Sequence, residues 1–128
     1  MLVQSLDGIE SKWQMKCAAA TKRSGPHLKV LEMLKELFPT IQILEEVQIQ
    51  VKKNKDLYLD FYLPLYDIAI EIDGAQHREY NSFMSGSREG FVKQQSNDIL
   101  KERWCELNQI SFIRLRDDED VKEWKAKF

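Results

Sequence analysis

Residues 60–77 read DFYLPLYDIAIEIDGAQH, and the rest of the chain is arranged around them. Leu57, Leu59, Phe61 and Leu63 alternate with Tyr58, Asp60 and Tyr62. Ile68, Ile70 and Ile72 alternate with Ala69, Glu71 and Asp73. Alternation with a period of two marks strands with one buried face. Pro64-Leu65-Tyr66-Asp67 is the turn between them. If Leu63 pairs with Ile68, then Phe61 pairs with Ile70 and Asp60 lies opposite Glu71, both acids pointing away from the Leu/Ile face. Like charges directly opposite disfavour pairing. They are tolerated if one is protonated or a cation lies between them. Asp73 is two residues on and shares the face of Glu71. Three carboxylates at the end of a hairpin point to a divalent metal site; the alternative is the wet outer face of an antiparallel hairpin.

Downstream, Gly74 breaks the strand and permits unusual backbone angles or close ligand approach. Residues 74–90 form a long polar connection containing Gln76, His77 and Arg78, and such loops are often functional. His77, just past Glu-x-Asp-Gly, is a candidate general acid/base. Phe91 to Leu107 reads as a helix with Val92, Ile99, Leu100, Trp104 and Leu107 on its apolar side. Asp98 and Lys101 either face the carboxylates or form a surface pair at i,i+3. Ile110 to Arg116 is a fourth strand. Its arrival after a helix implies a right-handed crossover and parallel pairing. Arg114 and Arg116 touch phosphates or guard an edge strand. Asp117-Asp118-Glu119-Asp120 suits a helix N-terminus, with Val121, Trp124 and Phe128 on one side of that last helix.

Upstream, Ile41, Ile43, Val47, Ile49 and Val51 mark another strand, interrupted near Glu45-Glu46. The turn Lys52-Lys53-Asn54-Lys55-Asp56 joins it to the central hairpin, giving an antiparallel meander. Its lysines either meet a phosphate backbone or are simply solvated. Ser24-Gly25-Pro26 is a helix start, followed by a stripe of Leu28, Leu31, Leu34 and Leu37, widened by Val30 and Phe38 and ended by Pro39. His27 lies in the first turn, as a surface residue or a site residue. Glu32 and Glu36 are solvent-face charges unless they reach a site beneath the helix. In residues 1–23, Leu2, Leu6, Ile9, Trp13 and Cys17 fit a helical stripe weakened by Gly8, while Lys12, Lys16, Lys22 and Arg23 make the segment basic. It is a substrate-contacting arm or a helix covering the sheet.

A chain of 128 residues with 43% hydrophobic and 31% charged residues fits one domain able to bury a core unaided. A net charge of −2 gives no global attraction for nucleic acid, so such binding needs a local basic patch. Cys17 and Cys105 have no metal-site spacing and suggest no disulfide scaffold. No apolar run reaches membrane-spanning length, and charges interrupt the first residues as a signal peptide would not allow. An intracellular protein is the expectation.

DFYLP, then IEIDGAQH, then QQSNDILKERW and FIRLR, together resemble the very-short-patch repair endonuclease-like group of the PD-(D/E)XK restriction-endonuclease superfamily. The likeness runs from about Ser24 to Arg116. It implies a restriction-endonuclease-like α/β core: a mixed four-stranded sheet, three-strand antiparallel meander plus crossover strand, flanked by helices. It implies a Mg²⁺-dependent DNA endonuclease, with Mn²⁺ as substitute, of nicking, homing, repair or recombination type, and a phage or bacterial origin. Asp60 takes the place of the central metal-binding aspartate and Glu71 the second acidic position. Asp73 stands where the superfamily often has lysine. His77 matches the histidine near the scissile phosphate. Many relatives carry a glutamate in the first helix where this chain has His27, with Glu32 further along, and Asp98 or Lys101 completes the candidate set. Lys52, Lys53, Lys55, Arg78, Arg88, Lys93 and Arg103 are the basic residues available to hold DNA, and a homodimer would suit double-strand cleavage. The rival readings are a catalytically inactive nuclease fold that binds DNA or joins a complex, and a phosphoesterase acting on small substrates.

Overall fold

A computed structural model of the chain describes residues 1–18, 23–74 and 88–128, with the backbone alone for 88–91. Its centre is the hairpin of β4 (Lys55–Leu63) and β5 (Ile68–Asp73), in which Leu63 pairs with Ile68 and Phe61 with Ile70. The turn closes because Asp67 takes a φ of 51°, a conformation that Asp tolerates better than most residues. The Asp67 carboxylate then accepts a 2.6 Å hydrogen bond from the Tyr62 hydroxyl. β3 (Leu44–Lys52) runs antiparallel beside β4, and β6 (Ser111–Arg116) lies parallel to β5. The order is β3-β4-β5-β6. Helix α2 (Arg88–Leu107) stands between β5 and β6 in sequence and packs on the sheet. This is the mixed four-stranded, restriction-endonuclease-like core that the resemblance implied. The helix begins at Arg88, three residues before the expected Phe91.

The hairpin does not have the single buried face expected from its alternation. Leu57 and Leu59 pack with Val47, Ile49, Trp13 and Trp104, whereas Phe61 and Leu63 pack with Val30, Leu34, Ile70 and Leu115. The odd-numbered residues of β4 therefore change sides at Asp60. Tyr62, expected beside Asp60 on the polar face, is fully buried. The cause sits across the ladder. Glu46 has a φ of 51°, and the β3–β4 pairing, regular on both sides, skips the Glu46/Asp60 position. Such a left-handed residue costs about 1–2 kcal/mol for a side chain other than glycine and twists the strand. Both sheet faces are consequently covered.

Helix α1 (Gly25–Leu37) covers one face. Ser24 caps it, its hydroxyl accepting from the His27 N–H at 3.2 Å, and Pro26 occupies the first turn. The buried stripe is His27, Val30, Leu31, Met33 and Leu34; Leu28, expected inside, is 44% exposed. The last helix α3 (Val121–Lys125), capped by Asp120, buries Trp124 on the same side. α2 covers the other face through Trp104 and Cys105.

The first residues are neither arm nor helix. β1 (Leu2–Gln4) and β2 (Glu10–Lys12) form an antiparallel hairpin. Gly8, at a φ of 85°, and the Ser5 side chain, which accepts from the Ile9 N–H, shape its turn. Val3 and Trp13 enter the core, so the helical spacing of Leu2, Leu6 and Ile9 is coincidental: Leu2 and Ile9 are exposed. Beyond β2 the chain runs along β3, with Gln48 N–H bonded to the Lys16 carbonyl and Ala18 N–H to that of Glu46. That pairing covers what would be an open sheet edge.

Candidate functional site

The antiparallel ladder of β4 and β5 ends at Phe61 and Ile70, and two carboxylates continue it. The Asp60 N–H donates to Glu71 Oε2 at 2.7 Å, and the Ile72 N–H donates to Asp60 Oδ2 at 2.8 Å. Each acid thus takes the place of a backbone carbonyl, and the strands open without leaving these amides unpaired. Glu71 is 4% exposed. Its other oxygen accepts from Lys101 Nζ, carried by α2. Burial, with the Asp60 charge beside it, holds the Glu71 carboxyl well above the usual carboxylate range despite Lys101. Burial works against the Lys101 cation, but the Glu71 charge and hydrogen bond outweigh it and raise the ammonium pKa.

On its other side Asp60 meets β3 and α1. Ligand atoms of His27, Glu46 and Asp60 lie within 4.8 Å of one another. His27 is there because the Ser24 cap fixes the first turn of α1 over the sheet, with the imidazole 4.4 Å from the Phe61 ring centre. Its Nε2 stands 3.0 Å from Glu45 Oε1, the kind of carboxylate contact that orients a metal-binding imidazole. Arg23 holds the same carboxylate through two nitrogens. Burial raises the Glu45 carboxyl, but the bonds from Arg23 and His27 outweigh it and hold it below the ordinary range. Glu46 is shifted upward, by burial and then by the Asp60 charge.

These donors fit a divalent cation. Two carboxylates and an imidazole are hard to borderline ligands suited to Mn²⁺ as well as Mg²⁺. An ion with bonds of about 2.1 Å spans ligand atoms roughly 4 Å apart, so small side-chain rotations would close the group. The sequence reading named Asp60 and His27 but missed Glu46. The signal for it was present: Glu45-Glu46 interrupts the β3 alternation, and the β3–β4 register carries Glu46 to Asp60. Continued across the sheet, one row holds Glu46, Asp60 and Glu71, with Arg114 next, paired to Glu71 in the parallel ladder.

Among the other expected residues, Asp73 ends β5, half-buried, outside the His27–Glu46–Asp60 group. Asp98 is one turn before Lys101 and its charge acts on that lysine; its carbonyl accepts from Arg114. Glu32 is exposed on α1, and Glu36 pairs with Lys125. Lys52 and Lys53 are exposed at the β3–β4 tip, Lys55 is half-buried, and Lys93 and Arg103 are exposed on α2. Gln76, His77 and Arg78 lie outside the described residues, as does the Arg88 side chain. No described helix is long and apolar enough to cross a membrane.

Two curated proteins match part of this chain. One is the uncharacterized protein 307L of Invertebrate iridescent virus 6, 34% identical over 62 residues, covering 48% of this chain and 32% of the relative. The other is the uncharacterized protein 033L of Invertebrate iridescent virus 3, 32% identical over 62 residues, with the same shares. The matched residues thus span 32% of either relative's length. No family model and no solved structure matches the chain.

Proposed function

We propose that the chain is a metal-dependent endonuclease hydrolysing DNA phosphodiester bonds, akin to the very-short-patch repair-like group. The observation that carries this reading is the position of Asp60. It shares a metal-sized group with His27 and Glu46 and is locked to Glu71, which holds Lys101. Binding alone needs no such convergence of acids, imidazole and ammonium at a sheet opening.

His27, Glu46 and Asp60 would hold Mg²⁺ or Mn²⁺, with Asp73 as a further donor. The bound cation would supply Lewis-acid charge at the scissile phosphate. Lys101, charged and fixed by Glu71, would donate to negative charge developing on the phosphoryl oxygens. It does the work of the lysine that Asp73 displaces from the usual position. His77 keeps its proposed part as general acid/base. Lys52, Lys53, Lys93 and Arg103 would steer the phosphate backbone, with a second copy of the chain needed for a double-strand cut.

The test is cleavage of supercoiled plasmid and of branched or mismatched duplexes by pure protein with Mg²⁺ or Mn²⁺. Asp60→Asn should abolish it. No cleavage of any nucleic acid, with no calorimetric metal binding, sinks the proposal. One observation favours an inactive nuclease fold: Lys101 and the Asp60 N–H already satisfy Glu71 without a metal. On that reading DNA binds equally well with and without divalent ions and is never cut.

A further inference from the structure

We infer that Glu45 is the positioning residue that makes His27 a metal ligand: it takes the Nε2–H of the imidazole and leaves Nδ1 as the nitrogen a cation binds. The inference rests on the metal-dependent reading of the His27–Glu46–Asp60 group. It adds to that reading the ligand atom and the residue that selects it.

An imidazole has two distinct ring nitrogens, and the hydrogen bond made by one decides which is left for a metal. In this chain one is taken. His27 Nε2 stands 3.0 Å from Glu45 Oε1. An ionised carboxylate only accepts, so Nε2 is the donor and the free lone pair of the neutral ring is on Nδ1. Nδ1 is thus the nitrogen left for the group that Glu46 and Asp60 complete, with ligand atoms within 4.8 Å of one another.

The backbone of β3 supports this division of labour. Successive strand residues point to opposite faces, so Glu45 and Glu46 should not both reach one imidazole. They do: Glu45 bonds it and Glu46 joins it in the group. The φ of 51° at Glu46 permits this. Such a conformation in a residue other than glycine is strained, and strain of this kind persists where the surrounding structure holds it and function uses it. Glu45 pairs across the ladder with Phe61, whose ring centre lies 4.4 Å from that of His27. Glu45 is itself fixed: Arg23 Nε and Nη2 hold its two oxygens at 2.7 and 3.0 Å, a two-pronged contact that sets the plane of the carboxylate. The Glu45 and Arg23 side chains are 23% and 41% exposed, so Glu45 can be changed without opening the core.

Calorimetric Mn²⁺ titration compares the parent chain with Glu45→Ala and Glu45→Gln. Glu45→Ala should weaken binding about 10- to 100-fold, the range for losing such a partner. Glu45→Gln keeps an oxygen that accepts from Nε2–H and should recover most of the loss. In a His27→Leu background, Glu45→Ala should change affinity by less than about twofold, because Glu45 acts through the imidazole. The imidazole ¹⁵N spectrum of the parent chain needs none of these variants and reads the ligand atom directly. The chain has two histidines, told apart with His77→Gln. With saturating Mg²⁺ the His27 Nδ1 resonance should shift and the Nε2 proton should stay. Equal or tighter Mn²⁺ binding by Glu45→Ala would show that Glu45 competes for the ligand nitrogen, and overturns the inference. Loss of the Nε2 proton on metal binding, or an undiminished Glu45→Ala effect without His27, overturns it as well. In all three cases the parent still binds metal and the nuclease reading stands; a parent that binds none sinks both.

Discussion

Asp60 has two duties that substitution can separate. Its carboxylate accepts the Ile72 N–H, and it is one corner of the His27–Glu46–Asp60 group. Asp60→Asn keeps an acceptor for the amide and removes the charge. Stability should change little while metal affinity falls by more than about 100-fold, the upper end of what losing a hydrogen-bond partner of a metal ligand costs. Asp60→Ala also strands the amide, at about 1–3 kcal/mol. Urea melts and calorimetric Mn²⁺ titration of both variants check this, and equal metal binding by Asp60→Asn would remove Asp60 from the site. Cys105 offers a second test. Burial, with the Glu71 charge nearby, pushes its thiol up to about 12, so it should resist alkylation in the native protein. Exposed Cys17 should react at once, and a thiol assay with and without denaturant should count one group and then two. The facing of Asp60 and Glu71 was legible because the pairing from Phe61 to Ile70 is regular around the turn, whatever happens to β4 before Asp60. Glu46 was not, because an acid pair inside an apolar strand reads only as an interruption of it until the left-handed backbone of Glu46 is seen.

The elements were legible where burial is one-sided. Helix α1 announces itself by Ser24, Pro26 and its apolar spacing, yet spacing alone could not tell Leu28 from His27. The cap and the sheet beneath set the rotation of the helix, turning His27 inward and Leu28 out. Leu34→Ala, at a fully buried position, should cost about 2–5 kcal/mol. Leu28→Ala should stay within about 0.5 kcal/mol. Paired urea melts distinguish the observed rotation from the Leu28-in rotation, in which Leu28→Ala would be the damaging change. The N-terminal hairpin was illegible for another reason. Its strands have three residues each, too few to display a period, and Trp13 in the core and Lys16 along β3 hold it in place.

Across the whole molecule, the sheet gathers Glu46, Asp60 and Glu71 from three strands where its ladder opens, an arrangement that works against stability. Acids crowded in a half-buried row repel, and proteins keep such conflicts mainly where function needs them. Glu46 provides the measurable case. Burial and then Asp60 raise its pKa in the fold, so the folded state binds its proton more tightly than the unfolded chain does. That contribution is fully present below the unfolded value near 4.5 and is lost as pH rises through the higher folded value. Glu45 runs oppositely, its lowered pKa giving stability that is lost as pH falls, so the Glu46 effect must be read as a difference between variants. Glu46→Gln should gain stability over the parent protein in EDTA, and the gain should grow between about pH 5 and about pH 8. Divalent metal should reverse the order. Mn²⁺ at about 100 times its dissociation constant would stabilise the parent by about 2.7 kcal/mol, and the variant by much less. Urea melts at both pH values, with and without Mn²⁺, test the linkage. A gain that ignores pH, or equal stabilisation of both proteins by metal, would show that the row is only a polar seam in the sheet.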